Sequence, residues 1–77
     1  MKSLEYKNYF FVGIGGIGMS ALAKYLHYYK KNILGYDKVQ TSLTKKLVNS
    51  GIGVSYTLKE SMSDLIRLNP KNTIIIY

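Results

Sequence analysis

Three glycines, Gly13, Gly15 and Gly18, fall on a G-x-G-x-x-G spacing within Val12-Gly13-Ile14-Gly15-Gly16-Ile17-Gly18-Met19-Ser20. The apolar run Tyr9-Phe10-Phe11-Val12 leads into this stretch and the helical pattern Met19-Ser20-Ala21-Leu22-Ala23 leads out of it. A glycine turn between a strand and a helix is suited to an anionic ligand. The first glycine permits a tight turn off the strand. The second lets backbone amides approach a diphosphate with no Cβ between them, and the third lets helix and strand pack closely. A diphosphate placed here meets unpaired N–H groups and the positive end of the helix dipole. Asp37 follows roughly 20 residues later, at the end of the next apolar run, where a carboxylate can accept hydrogen bonds from both ribose hydroxyls. Glycines and acid together point to nucleotide binding. The bland alternative, a turn that binds nothing, is disfavoured because Gly13, Gly15, Gly16 and Gly18 cost backbone entropy that packing alone seldom offsets.

Composition narrows the field. A 77-residue chain that is 47% hydrophobic makes one small domain, and a domain of ~60 residues buries only ~60% of its unfolded surface. Cysteine is absent, and His27 is accompanied only by the acids Glu5, Asp37, Glu60 and Asp64. Disulfides are thereby excluded and a metal site is not expected. The N-terminus has no apolar h-region and no run approaches the ~20 apolar residues of a membrane span, which makes the cytoplasm the default compartment. The net charge is +7. Its lysines are scattered rather than gathered into a basic helix, so the charge reads as a solvated surface that attracts phosphorylated ligands, not as a nucleic-acid footprint. His27 has no acid or serine neighbour in sequence and reads as a helix-surface residue. Tyr25, Tyr28 and Tyr29 read as helix packing and amphipathic surface.

The elements that position the glycines follow from periodicity. Residues 1–8 form a polar lead-in, and Tyr9–Val12 form strand one, whose uninterrupted apolar run suits a parallel strand buried on both faces. Helix one is expected over Ile17–Tyr29, with Met19, Leu22, Ala23 and Leu26 in one stripe and Lys30, Lys31 and Asn32 closing its last turn. Strand two is Ile33–Tyr36. Thr41 or Ser42 caps a second helix carried by Leu43, Leu47 and Val48 and stopped by Gly51. Ile52–Tyr56 is a weaker third strand, and Lys59–Leu68 a short third helix with Met62, Leu65 and Ile66 apolar. After the turn at Pro70, Thr73–Tyr77 form a β-branched fourth strand. The pattern is βαβαβαβ, an α/β three-layer Rossmann-like parallel sheet with expected strand order 3-2-1-4. The glycine turn then opens at the carboxyl ends of strands one and four, the topological switch point. With no helix after strand four, the sequence reads as part of a longer protein.

The wording around the glycines is narrower than their spacing. Phe11-Val12-Gly13-Ile14-Gly15-Gly16-Ile17-Gly18-Met19-Ser20-Ala21-Leu22-Ala23 closely resembles the opening of the Mur ligase family. The likeness continues through Gly35-Tyr36-Asp37, Leu43-Thr44-Lys45-Lys46-Leu47, Gly51-Ile52 and Ile74-Ile75-Ile76-Tyr77. The resemblance implies an N-terminal, UDP-sugar-binding Rossmann-like domain over residues 1–77. Central ATP-binding and C-terminal domains would lie outside it. It implies an ATP- and Mg2+-dependent reaction of peptidoglycan synthesis in which the carboxylate of UDP-N-acetylmuramate is phosphorylated and then attacked by the amine of L-alanine. Carried onto this chain, Gly13, Gly15, Gly16, Ile17, Gly18 and Met19 form the diphosphate loop. Ser20 adds a hydroxyl contact, and Asp37 holds the uridine end.

The departures from the family pattern are informative. No G-x-x-x-x-G-K-S/T loop occurs in these residues, so ATP is not bound here by that device. Many family members carry a histidine after strand three that helps enclose the nucleotide. Here the stretch reads Val54-Ser55-Tyr56-Thr57-Leu58, with Tyr56 available to stack. The 77 residues are therefore expected to carry part of a substrate site, no catalytic residue and no metal ligand. A sister ligase acting on a longer muramoyl peptide fits the same residues. So does an NAD(P)-binding domain of a dehydrogenase or ligand-gated regulator, for which the glycines and Asp37 serve equally. A third reading, an assembly module that self-associates through exposed sheet edges, rests on the unpaired strand of a truncated sheet, where association is expected as an artefact of truncation and not as a function.

Overall fold

The computed structural model describes residues 6–77. The lead-in expected over residues 1–8 lies outside the described residues as far as residue 5. The elements run β1 (Asn8–Val12), α1 (Ile17–Tyr28), β2 (Asn32–Tyr36), α2 (Ser42–Asn49), β3 (Gly53–Ser55), α3 (Leu58–Ile66) and β4 (Thr73–Ile76). A 3-10 turn, Pro70–Asn72, feeds β4. The strands form one parallel sheet in the order β3-β2-β1-β4, as the sequence pattern predicts.

The central place of β1 explains its composition. It pairs with β2 from Asn8↔Asn32 to Val12↔Tyr36 and with β4 from Asn8↔Thr73 to Phe11↔Ile76. Tyr9, Phe10 and Phe11 are all buried although they alternate between faces. Tyr9 and Phe11 join Ala23 and Leu26 of α1, Ile33, Leu47 and Ile52 in one core. Phe10 faces the opposite side, where it shares an apolar hollow with Val12, Tyr36 and Ser61, Met62 and Leu65 of α3.

Helix ends are set by backbone geometry. α1 stops one residue short of the expected Tyr29: Tyr29 is the C-cap and Lys30 enters the left-handed region at φ 63°. The Lys31 amide bonds back to the Leu26 carbonyl at 3.2 Å and the Lys30 amide to the His27 carbonyl at 2.9 Å, a Schellman closure. Asn32 is already in β2, so the basic residues follow the helix instead of completing it. α2 ends the same way with a glycine in the left-handed position. Gly51 has φ 102°, and the Ile52 and Gly51 amides bond to the Leu47 and Val48 carbonyls, both at 3.0 Å. Its N-terminus carries a reciprocal Thr41–Thr44 capping box. His27, expected to be a plain surface residue, ties the two helix ends together: its Nε2–H donates to the Ser50 carbonyl at 2.8 Å.

The third crossover departs most from expectation. β3 keeps only three residues, and the inward residue of α3 is Ser61, while Met62 and Ile66 are exposed. The buried Ser61 hydroxyl pairs with that of Ser55 on β3, so a polar pair seats this helix where an apolar stripe was expected. In α2 likewise Thr44 and Leu47 are buried while Val48 is exposed. β4 is an edge strand, only half-buried.

Two substitutions test these packing assignments. Lys30→Gly relieves a left-handed non-glycine residue and is expected to stabilise the fold by about 1 kcal/mol in thermal or urea melts. Burial pushes the Tyr9 phenol above its ordinary value, the Tyr6 backbone offsetting this only in part. Its hydroxyl has no hydrogen-bond partner among the described residues. With its folded value raised, ionising this phenol costs the fold nothing below the unfolded value of ~10 and an increasing amount as pH rises beyond it. Tyr9→Phe should therefore gain about 1 kcal/mol at neutral pH and flatten the alkaline loss of stability, read from melts at pH 7 and pH 11.

Candidate nucleotide-phosphate site

The glycine turn is fastened to β2. The Gly13 and Ile14 amides both donate to the Tyr36 carbonyl, at 2.8 and 3.0 Å, and the Gly16 amide closes the turn on the Gly13 carbonyl at 3.1 Å. Gly13 has φ 81°, the tight turn expected of the first glycine. Ile14 is fully buried and fills space left by Gly35, where a Cβ would lie 2.5 Å from Ile14 Cδ1. Gly35 thus positions the turn. Its place in the middle of an apolar strand, where a side chain is the norm, is the sequence signal for this role.

Asp37 comes to the same place. Its Oδ2 accepts from the Gly15 amide at 2.7 Å and its Oδ1 from the Val39 amide at 3.1 Å. A Cβ on Gly15 would stand 2.7 Å from Asp37 Oδ2 and 2.8 Å from Thr44 Cγ2. The small size of Gly15 is therefore needed for the carboxylate and the start of α2, not only for an approaching phosphate. Gly18, expected to allow close helix–strand packing, shows the reverse: a Cβ there meets nothing within 4 Å. The space beside Gly18 is open.

α1 begins without a side-chain cap and with no acid in its first turn, Gly16 standing at the N-cap. α2 and α3, by contrast, are capped by Thr41 and Thr57. The Ser20 amide bonds to the Gly16 carbonyl at 2.7 Å. Those of Ile17, Gly18 and Met19 precede this first intrahelical donor and have no partner among the described residues. Three donors and the positive dipole end make a cradle for an anion. Of the residues expected in the loop, Ile17 is 83% exposed and Met19 packs partly against the core, which leaves their amides as the available contacts. The Ser20 hydroxyl, expected to touch ligand, is buried and donates to the Ile17 carbonyl at 3.1 Å.

Other expected participants lie elsewhere. Tyr56 lines a cleft of about 410 Å³ with Gln40, Lys45, Val48, Asn49 and Val54, none of them in the glycine turn. Its hydroxyl is buried without a partner among the described residues. No cluster of three or more His, Cys, Asp or Glu residues that could hold a metal forms among the described residues.

Residues 8–75 match the family model described as Mur ligase family, catalytic domain. The chain belongs to the Mur ligase family. It is 44% identical over 75 residues to UDP-N-acetylmuramate–L-alanine ligase of Flavobacterium johnsoniae, covering 95% of this chain and 16% of that protein. It is 46% identical over 77 residues to the ligase of the same name from Flavobacterium psychrophilum, covering 94% of this chain and 16% of that protein. With that from Christiangramia forsetii the identity is 40% over 79 residues, covering 100% and 18%. The chain thus spans less than a fifth of the length of these relatives. No solved structure matches it. This Mur ligase sequence sets its glycine turn between β1 and α1 of a parallel sheet.

The two glycines can be separated by experiment. Gly15→Ala is expected to destabilise the fold by roughly 1–3 kcal/mol through overpacking against Asp37 and Thr44. Gly18→Ala should leave stability unchanged or raise it by up to about 1 kcal/mol through helix propensity. Urea melts of both variants check the contrast.

Proposed function

We propose that these residues form the UDP-sugar-binding part of an ATP-dependent ligase that joins L-alanine to UDP-N-acetylmuramate in peptidoglycan synthesis. The observation that carries the reading is the set of unpartnered Ile17, Gly18 and Met19 amides beside an open Gly18, with the Asp37 carboxylate one strand away. The diphosphate takes the three amides. The ribose hydroxyls donate to lone pairs of Asp37 that Gly15 and Val39 leave free. The names of the relatives support the muramate and alanine specificities. In this reading ATP and Mg2+ act in parts of the parent enzyme outside these 77 residues, which alone turn nothing over. No helix among the described residues is long and apolar enough to cross a membrane, and we assign the reaction to the cytoplasm.

In NMR titrations, UDP-N-acetylmuramate or UDP should perturb the Ile17, Gly18 and Met19 amides more strongly than NAD does. An equal or larger response to NAD would move the assignment to a dinucleotide-binding domain. Asp37→Ala should weaken UDP binding by roughly 1.5–3 kcal/mol through loss of a charged hydrogen bond to ribose. Unchanged affinity would remove Asp37 from the ribose site.

A further inference from the structure

Holding a ribose needs only the outward lone pairs of a carboxylate. Asp37 also engages inward. One oxygen takes the Gly15 amide at 2.7 Å and the other the Val39 amide at 3.1 Å. The short contact is of the charge-assisted kind, stronger than a neutral amide pair. Behind it stands Thr44, fully buried and locked by its exchange with Thr41: the Thr41 amide donates to Thr44 Oγ1 at 2.8 Å, and Thr44 Oγ1 donates to the Thr41 carbonyl at 3.0 Å. Gly15 is therefore wedged between the carboxylate and the first turn of α2.

We propose that Asp37 is a positioning residue for the diphosphate as well as the acceptor for ribose. Its carboxylate keeps the Gly15 amide for itself and pins the glycine turn against α2. Gly16 is thereby held at the N-cap and the Ile17, Gly18 and Met19 amides stay aimed at an anion that Asp37 never touches. The proposal rests on the nucleotide reading above and adds a coupling between its two halves. It also explains why a negative charge stands beside an anion site. On Coulomb grounds alone the carboxylate repels a diphosphate, so removing it should tighten diphosphate binding. If it pins the turn, removing it weakens that binding. The two roles differ in sign.

The test compares the chain with Asp37→Ala and Asp37→Asn, using inorganic pyrophosphate and uridine as separate probes and amide hydrogen exchange as the structural readout. In Asp37→Ala, exchange at Gly15 should accelerate about tenfold, the loss of roughly 1.4 kcal/mol of protection, with Phe10 and Phe11 unchanged. The pyrophosphate Kd should rise about fivefold although pyrophosphate has no ribose. Asp37→Asn keeps a neutral acceptor and should restore most of the Gly15 protection. If Asp37→Ala loosens the whole sheet, Phe10 and Phe11 accelerate with Gly15, and the exchange comparison passes to Asp37→Asn, whose weaker neutral acceptor should leave Gly15 about two- to threefold faster than in the unsubstituted chain with Phe10 and Phe11 unchanged. Gly15 exchange identical to the unsubstituted chain in the variant that keeps Phe10 and Phe11 protected, or tighter pyrophosphate binding in Asp37→Ala with its sheet intact, overturns the pinning role. Failure of the unsubstituted chain to respond to pyrophosphate or UDP at Ile17, Gly18 and Met19 overturns the nucleotide reading instead, and the exchange measurement still reports whether Asp37 pins the turn.

Discussion

The carbonyl of Tyr36 accepts the amides of both Gly13 and Ile14, and the architecture at this end of the sheet depends on that double tie. A parallel strand leaves its last carbonyl to be satisfied by whatever follows, and here the following turn of the neighbouring strand does so. The tie sets where Ile14 lands, and Ile14 fits because position 35 has no side chain. With Ile14 seated, Gly15 is delivered to Asp37 and Gly16 becomes the N-cap of α1. Each step is local, yet together they orient a helix N-terminus to face outward from the carboxyl end of the sheet.

The α-helices of the described residues divide between structural and open beginnings. Thr41 and Thr57 accept amides at the starts of α2 and α3, satisfying groups that would otherwise need water. α1 forgoes this with Gly16 at its N-cap, which costs only about a few tenths of a kcal/mol by comparison with a good cap. The helix is held instead by its buried Ala23 and Leu26, by its Schellman closure and by the His27 tie to α2. Stability is thus supplied at the far end of the helix, leaving the near end available for a ligand.

The sequence made much of this legible because its strongest signals are local. The apolar run of β1, the glycine spacing and the β-branched β4 fix the element order, and right-handed crossovers then leave the observed strand order. Asp37 was legible as a strand-end acid, but its bonds to Gly15 and Val39 were not, since they join loops brought together only by strand pairing. The same holds for Gly35. α3 was misread for a different reason: periodicity ranks Met62 and Ile66 as inward, whereas the helix turns Ser61 to the sheet to pair its hydroxyl with Ser55. Lys30 was misread because lysine rarely adopts the left-handed conformation that its position in the closure of α1 requires.

A site made from amides recognises charge and distance, and it carries little information about the base beyond. In the proposed function this sets a division of labour within the chain. The helix N-terminus supplies attraction for any diphosphate, aided by a net charge of +7 that favours encounter with anions. Discrimination must then come from side chains placed around that anchor, and Asp37 is the polar side chain that reaches it through Gly15. Because the same carboxylate touches the turn, an error in nucleoside placement is felt at the phosphate amides, and a misplaced diphosphate strains the acid. Two weak recognitions joined through one backbone hydrogen bond discriminate better than either alone, since a ligand that satisfies one while disturbing the other loses on both.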